Sequence, residues 1–190
     1  MEENNQKKAR STGRRSTKEW KKLVAEFQKP DLRRALWQLT NTLLPVLGIW
    51  IGLYFLKDFS LWLCIPPAML AGLFLIRAFI IFHDCGHGSF FKSKKANDAL
   101  GFFTGMLTFT PYHHWKWEHA MHHATNGDLD RRGIGDVWTL TVEEYLTSSR
   151  WIKLSYRFLR NPFVLFLITP LFLFFVLERI PSSKAKPREK

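Results

Sequence analysis

The sequence predicts an all-α integral membrane protein, a transmembrane helical hairpin followed by a cytoplasmic helical cap and a C-terminal apolar segment. Three observations predict it. Ala35–Leu56 is 22 residues without a charge, and Ser60–Phe82 is 23 residues whose only charge is Arg77. All seven histidines fall within the 41 residues that follow these runs. Basic residues crowd the N-terminal region and the middle, leaving Lys57 alone between the runs.

About 20 apolar helical residues cross the ~30 Å hydrocarbon core, so each run is long enough to span. Pro45, Pro66 and Pro67 are tolerated there, because neighbouring helices satisfy the freed carbonyls. Arg77 is expected to snorkel toward the headgroups along its own alkyl stem. Seventeen Phe and eight Trp among 190 residues suit hydrocarbon and its interfaces. A cleaved signal peptide is not expected, since the first apolar run is too long and a second follows at once.

Residues 1–34 hold eleven Lys or Arg, and residues 83–160 hold ten. The positive-inside rule puts both on the cytoplasmic side, and with them every histidine. A net charge of +12 fits nucleic acid, an anionic membrane surface or an acidic protein partner. The uncharged runs favour the membrane. Nucleic acid is not expected as a partner, because the long basic stretch has no interleaved aromatic before Trp20.

Residues 1–17 read as a disordered basic tail, and residues 18–180 as one domain. Trp20, Leu23, Val24 and Phe27 then form one helical stripe opposite Lys18, Glu19, Lys21 and Lys22. This pattern fits a helix lying on the membrane, or a solvated helix packing on its own protein. The cap covers residues 83–160. Within it, Ala99–Tyr112 is charge-free but only 14 residues long, consistent with a dipping or buried helix. Arg150, Lys153, Arg157 and Arg160 form a basic stripe flanked by Trp151, Ile152, Leu154, Phe158 and Leu159. That stripe is a candidate lipid or partner surface. The apolar segment Pro162–Leu177, 16 residues interrupted by Pro170, either spans or re-enters; a basic tail, 181–190, follows. Cys64 and Cys85, about 30 Å apart along a helix at ~1.5 Å per residue, are too distant for a disulfide. No C-x-x-C pair is present, which removes zinc-ribbon and thioredoxin readings.

The histidines form two groups. His83-Asp84-Cys85-Gly86-His87 spaces two imidazoles at i, i+4, on one helical face. His119-Ala120-Met121-His122-His123 sets His119 facing both later histidines. A lone pair of this kind is ordinary surface decoration. Two groups beside one membrane surface make a metal cage the better reading. Imidazole suits iron, with open positions left for oxygen. Zinc is the rival, but neither group has the Glu of H-E-x-x-H.

Phe82-His83-Asp84-Cys85-Gly86-His87-Gly88-Ser89-Phe90 resembles the first histidine box of membrane-bound acyl-lipid fatty acid desaturases. Pro111-Tyr112, Trp115 and His119-Ala120-Met121-His122-His123-Ala124-Thr125 resemble the second. With the preceding apolar hairpin, the resemblance covers about residues 20–180, and the bacterial and plant delta-12 or delta-5 types are the most similar subgroup. It implies His83, His87, His119, His122 and His123 as iron ligands of a di-iron centre, with O2-dependent insertion of a double bond into a lipid acyl chain. Asp84, Asp128, Asp130 and Asp136 are candidates to orient ligand imidazoles, each with a helix-cap or surface role as the alternative. His113 and His114 stand outside the box pattern. No H-P-G-G haem motif is present, so a separate electron carrier is implied: a ferredoxin, a flavodoxin or a cytochrome b5-like protein. The family has a third box, H-x-x-H-H, far downstream, whereas no histidine follows His123. The expectation is therefore a truncated or split desaturase, the split form having its third box on a second chain. A non-catalytic fragment retaining the fold and a related di-iron lipid hydroxylase are the alternatives.

Overall fold

A computed structural model describes residues 17–25, 29–133 and 137–180, and all regular structure among them is helical. Helix α1 is Thr17–Ala25, with Trp20, Leu23 and Val24 exposed; Phe27 and the tails 1–16 and 181–190 lie outside the described residues.

Helix α2, Leu32–Leu56, begins at Asp31, whose carboxylate accepts the Arg34 N–H at 3.1 Å. That bond satisfies one of the donors every helix start leaves open. After Asp58 the chain turns, Ser60 caps a short 3-10 turn at Leu61–Cys64, and helix α3 follows over Ile65–Gly86. Leu32–Leu56 and Leu61–Gly86 are both long and apolar enough to cross a membrane. Large apolar side chains along both, Trp37, Leu44, Ile51, Leu73 and Ile76 among them, remain exposed, as a lipid-facing surface requires. The second span runs past the expected Phe82, so the first histidine group occupies the final turn of α3.

Arg77, expected to snorkel, has a partner within the hairpin. Its Nη2 donates to Asn41 Oδ1 at 2.6 Å, from α3 to α2, 36 residues away in sequence. A paired guanidinium between two helices is retained where a lone one is costly. Asn41→Leu is expected to lower stability by about 1 kcal/mol, read as a lower unfolding midpoint in detergent.

Helix α4, Lys94–Leu107, packs against α3. It starts earlier than the charge-free run suggested, because Ser93 caps it by accepting the Ala96 N–H at 3.3 Å. It stops at Thr108; Phe109 has φ 56°, a left-handed value unusual for a side chain of this size. Tyr112 therefore opens the next helix, α5, Tyr112–Thr125. The core lies where α2, α3, α4 and α5 meet: Ala35, Ile81, Phe82, Cys85, Phe90 and Tyr112, with Trp115 against it. Close approach depends on glycine: a Cβ at Gly105 would lie 2.6 Å from the Thr110 carbonyl oxygen.

Helix α6, Val142–Thr147, opens with a capping box between Thr141 and Glu144. Glu144 also pairs with Arg132. Helix α7 is Arg150–Leu159; a π-helical turn at Val164–Ile168 and helix α8, Thr169–Phe175, follow. Pro170 has no N–H to give, and the widened turn stands where its ring would crowd a regular helix. The segment Val164–Arg179 is bent by 64° from α7. It returns to the hairpin, with Phe174 against Phe79 (ring centroids 5.8 Å) and Arg179 donating to the Phe109 carbonyl at 2.8 Å.

Candidate metal centre

The last turn of α3 delivers His83 and, at its C-cap, His87. The chain then leaves through Gly88, whose φ of 70° suits a residue without Cβ. Helix α5 climbs beside this turn. Its residues Tyr112, Trp115, Lys116, His119 and His123 are spaced i, i+3, i+4, i+7 and i+11, the stripe that meets a neighbouring helix. Trp115 sets the contact. Its ring packs on Phe82 (4.6 Å) and stacks on His119 (4.3 Å, 14° between planes). A Cβ at Gly86 would lie 2.9 Å from it.

The result is a convergence of four imidazoles, His83, His87, His119 and His123, with ligand nitrogens all within 4.8 Å of one another. His119 is the centre. Its Nε2 lies 3.0 Å from His83 Nε2, 3.1 Å from His87 Nε2 and 3.0 Å from His123 Nε2. One ring nitrogen carries one proton or one lone pair, so it cannot satisfy three nitrogen neighbours by hydrogen bonding. A cation shared among the lone pairs satisfies all four, and the donor set fits a transition metal. His83 Nδ1 is 3.2 Å from Asp84 Oδ1, the orientation through the second ring nitrogen that metal-binding histidines use.

Burial holds the His119 imidazole down to about 4, helped by the charges that His83, His123, His87 and His122 would carry. His87 is lowered too, first by burial and then by His83 and His123. Both rings are therefore neutral near pH 7 and have lone pairs to offer. A folded value below the ordinary 6.5 means that the unfolded chain takes up protons first on acidification. The stability due to His119 is present above 6.5 and lost as the pH falls toward 4. The unfolding midpoint of the metal-free protein is expected to fall across that window, and metal binding to weaken with it. A flat profile would contradict this reading.

His122 is set apart from the four. Its ring is 6.2 Å from that of His119, and it faces an apolar cavity of about 570 Å³. Trp115, Glu118 and His119 form one wall of the cavity; Trp138, Tyr156, Leu165, Leu173 and Glu178 line the rest. His113 is exposed, while His114 is buried with Nε2 3.4 Å from Glu118 Oε1. Asp128 lies in the turn after α5, where its carboxylate accepts from Arg131 Nε at 2.7 Å and from the Asp130 N–H at 3.1 Å. Asp130 is exposed there, and Asp136 lies outside the described residues. Of the basic stripe on α7, three members are engaged within the chain. Lys153 donates to the Leu146 carbonyl (2.8 Å), Arg157 to the Tyr145 hydroxyl (2.6 Å), and Arg160 to the Trp138 carbonyl (2.9 Å). Arg150 is exposed.

The sequence did not disclose the polar network behind the first histidine group. The Tyr112 hydroxyl lies 3.0 Å from both the Cys85 carbonyl oxygen and Asp98 Oδ1, and Lys116 Nζ lies 2.8 Å from the same carboxylate oxygen. The i, i+4 spacing of Tyr112 and Lys116 is a local signal, but Asp98 is on another helix.

Residues 60–190 match the family model "Fatty acid desaturase". A fatty acid desaturase of Bacillus subtilis (strain 168) is 46% identical over 173 residues, covering 91% of this chain and 49% of that protein. An sn-1 oleoyl-lipid 12-desaturase of Synechocystis is 34% identical over 103 residues, 54% of this chain and 29% of its own length. An sn-1 acyl-lipid omega-3 desaturase (ferredoxin) of the same organism is 32% identical over 113 residues, 58% of this chain and 31% of its own. The chain thus spans about half the length of the first of these relatives and less of the others. No solved structure matches it. Because the family model takes in 131 of the 190 residues, with both histidine groups inside it, this chain belongs to the fatty acid desaturase family.

Proposed function

We propose that this chain is the histidine-bearing part of a di-iron, O2-dependent acyl-lipid desaturase. The observation that carries the proposal is the convergence of four imidazoles at the end of a membrane hairpin, beside an apolar cavity. When bound, iron together with O2 would supply the oxidising power that removal of two hydrogens from an unactivated methylene demands.

The protein's own part is binding and placement. His83, His87, His119 and His123 would hold metal, and Asp84 would fix the His83 ring. Leu165, Leu173 and Leu177 line the same cavity as Trp115 and His119, suited to an acyl chain lying against the centre. His122 on the same cavity would bind from its other side. Asp128 and Asp130 have the weaker part in this reading, as residues of the turn after α5. A third histidine group, from a further segment or a second chain, would complete the ligands for two irons.

The basic distribution favours histidines on the cytoplasmic face. Electrons would come from a separate carrier; three relatives carry "ferredoxin" in their names. An acidic carrier would meet Lys92, Lys94 and Lys95, which are exposed, with Arg150 as a further contact for carrier or anionic lipid.

The test is expression in a bacterium lacking desaturases, alone and with a segment supplying an H-x-x-H-H group. New cis double bonds in membrane lipids, lost on His119→Ala, are the expected result. Unchanged lipids in both arms, with iron-free purified protein, would overturn the proposal, and hydroxylated chains would replace it with a hydroxylase.

A further inference from the structure

Two histidines of the cluster come from the end of α3 and two from α5, so the site exists only while those helices hold one relative position. Metal ligands tolerate displacements of only about 0.5 Å before coordination weakens. Trp115 fills the space between the helices, but ring packing alone leaves them free to slide.

The end of α3 has carbonyls that no later turn of helix can satisfy. The Cys85 carbonyl lies midway between His83 and His87. It accepts the Gly88 N–H at 3.0 Å, and the Tyr112 hydroxyl approaches the same oxygen at 3.0 Å. Tyr112 is 2% exposed and stands two turns before His119 on the same stripe of α5. Fixing Tyr112 therefore fixes the height and rotation of His119 and His123. The hydroxyl also meets Asp98 at 3.0 Å, and Lys116 closes the set at 2.8 Å from Asp98 and 3.3 Å from the hydroxyl. Three helices meet at this one hydroxyl, whose single proton is shared between the Cys85 carbonyl and the Asp98 carboxylate. The charge-assisted Lys116–Asp98 contact holds the carboxylate where the hydroxyl needs it.

Resting on the metal-centre reading above, we propose that Tyr112, Asp98 and Lys116 are positioning residues: together they hold the Cys85 carbonyl, and with it His83 and His87, in register with His119 and His123. None of the three is a metal ligand. Their effect reaches the site through the backbone of the α3 terminus and through the rotation of α5.

The experiment is Co(II) titration of the full chain in nanodiscs, followed by its ligand-field absorption, with the unfolding midpoint of the metal-free protein measured in parallel. Tyr112→Phe keeps the ring against Phe82 and removes only the hydroxyl; Asp98→Asn keeps the shape and removes the charge. Each is expected to weaken Co(II) binding about tenfold, the scale of lost outer contacts at metal sites, and to shift the ligand-field bands. The double variant is expected to lose little more than either single one, because both break one network. Asp98→Glu, which restores a carboxylate, is expected to recover part of the affinity. A lowered midpoint with wild-type affinity and spectrum would show a purely structural network and overturn the proposal. Failure of the wild-type chain to bind Co(II) would overturn the metal-centre reading, and this inference with it.

Discussion

His119→Ala is expected to lower metal affinity at least 100-fold, to the background of the purified protein, while leaving the fold intact. The reason is geometric. Each of the other three nitrogens approaches His119 Nε2 at 3.0–3.1 Å, so removing this imidazole removes the only member adjacent to all of them. Loss of an outer contact costs about 10–100-fold at metal sites, and loss of the central ligand exceeds that. The metal-free fold loses the stacking of this half-buried ring on Trp115 but is relieved of crowded lone pairs. His123→Ala takes away an exposed edge ligand and is expected to give a smaller loss. Metal analysis of the purified variants, with unfolding midpoints beside it, checks the ranking. Equal losses for the two variants would mean that His119 is not central.

Gly101→Val is expected to destabilise the protein by about 3 kcal/mol. A Cβ at Gly101 would overlap the ring of Tyr112, its nearest approach falling on Cε2 with Cζ at 2.6 Å. That ring cannot retreat: it is buried, packed edge-on to Phe82, and held at its hydroxyl end by Cys85 and Asp98. The added methyls must push α4 from α5, which also displaces the histidine stripe, so metal affinity is expected to fall with stability. Gly72→Ala is the control. Nothing lies within 4 Å of a Cβ there, and an Ala inside a helix is expected to be neutral or to stabilise by about 0.5–1 kcal/mol. Unfolding midpoints in one detergent separate the two.

The hairpin and the four clustered imidazoles were legible in the sequence because their signals are local. A charge-free run of 22 residues meets the length a bilayer sets, and i, i+4 histidines share a face in any helix. What stayed hidden depends on how helices rotate and meet. The motif H-x-x-H-H sets both His122 and His123 beside His119. The packing of Tyr112 and Trp115 against α3 turns His123 toward His119 and leaves His122 to the cavity. Arg77 was read alone because its partner Asn41 is on the other helix. The start of α4 was missed because Asp98 bounds the charge-free run while Ser93 caps the helix five residues before it. The α7 stripe read as a lipid or partner surface, yet Lys153 and Arg157 find partners on α6 and Arg160 in the segment before it.

X-ray absorption of the iron-loaded protein tests the central claim most directly, since it reads which atoms surround the metal. Four imidazoles meeting at His119 require a first shell dominated by histidine nitrogen, with the outer-ring scattering those rings produce, and loss of that signal in His119→Ala. A shell of carboxylate oxygens or thiolate sulfur, or an iron environment unchanged by the substitution, would contradict it.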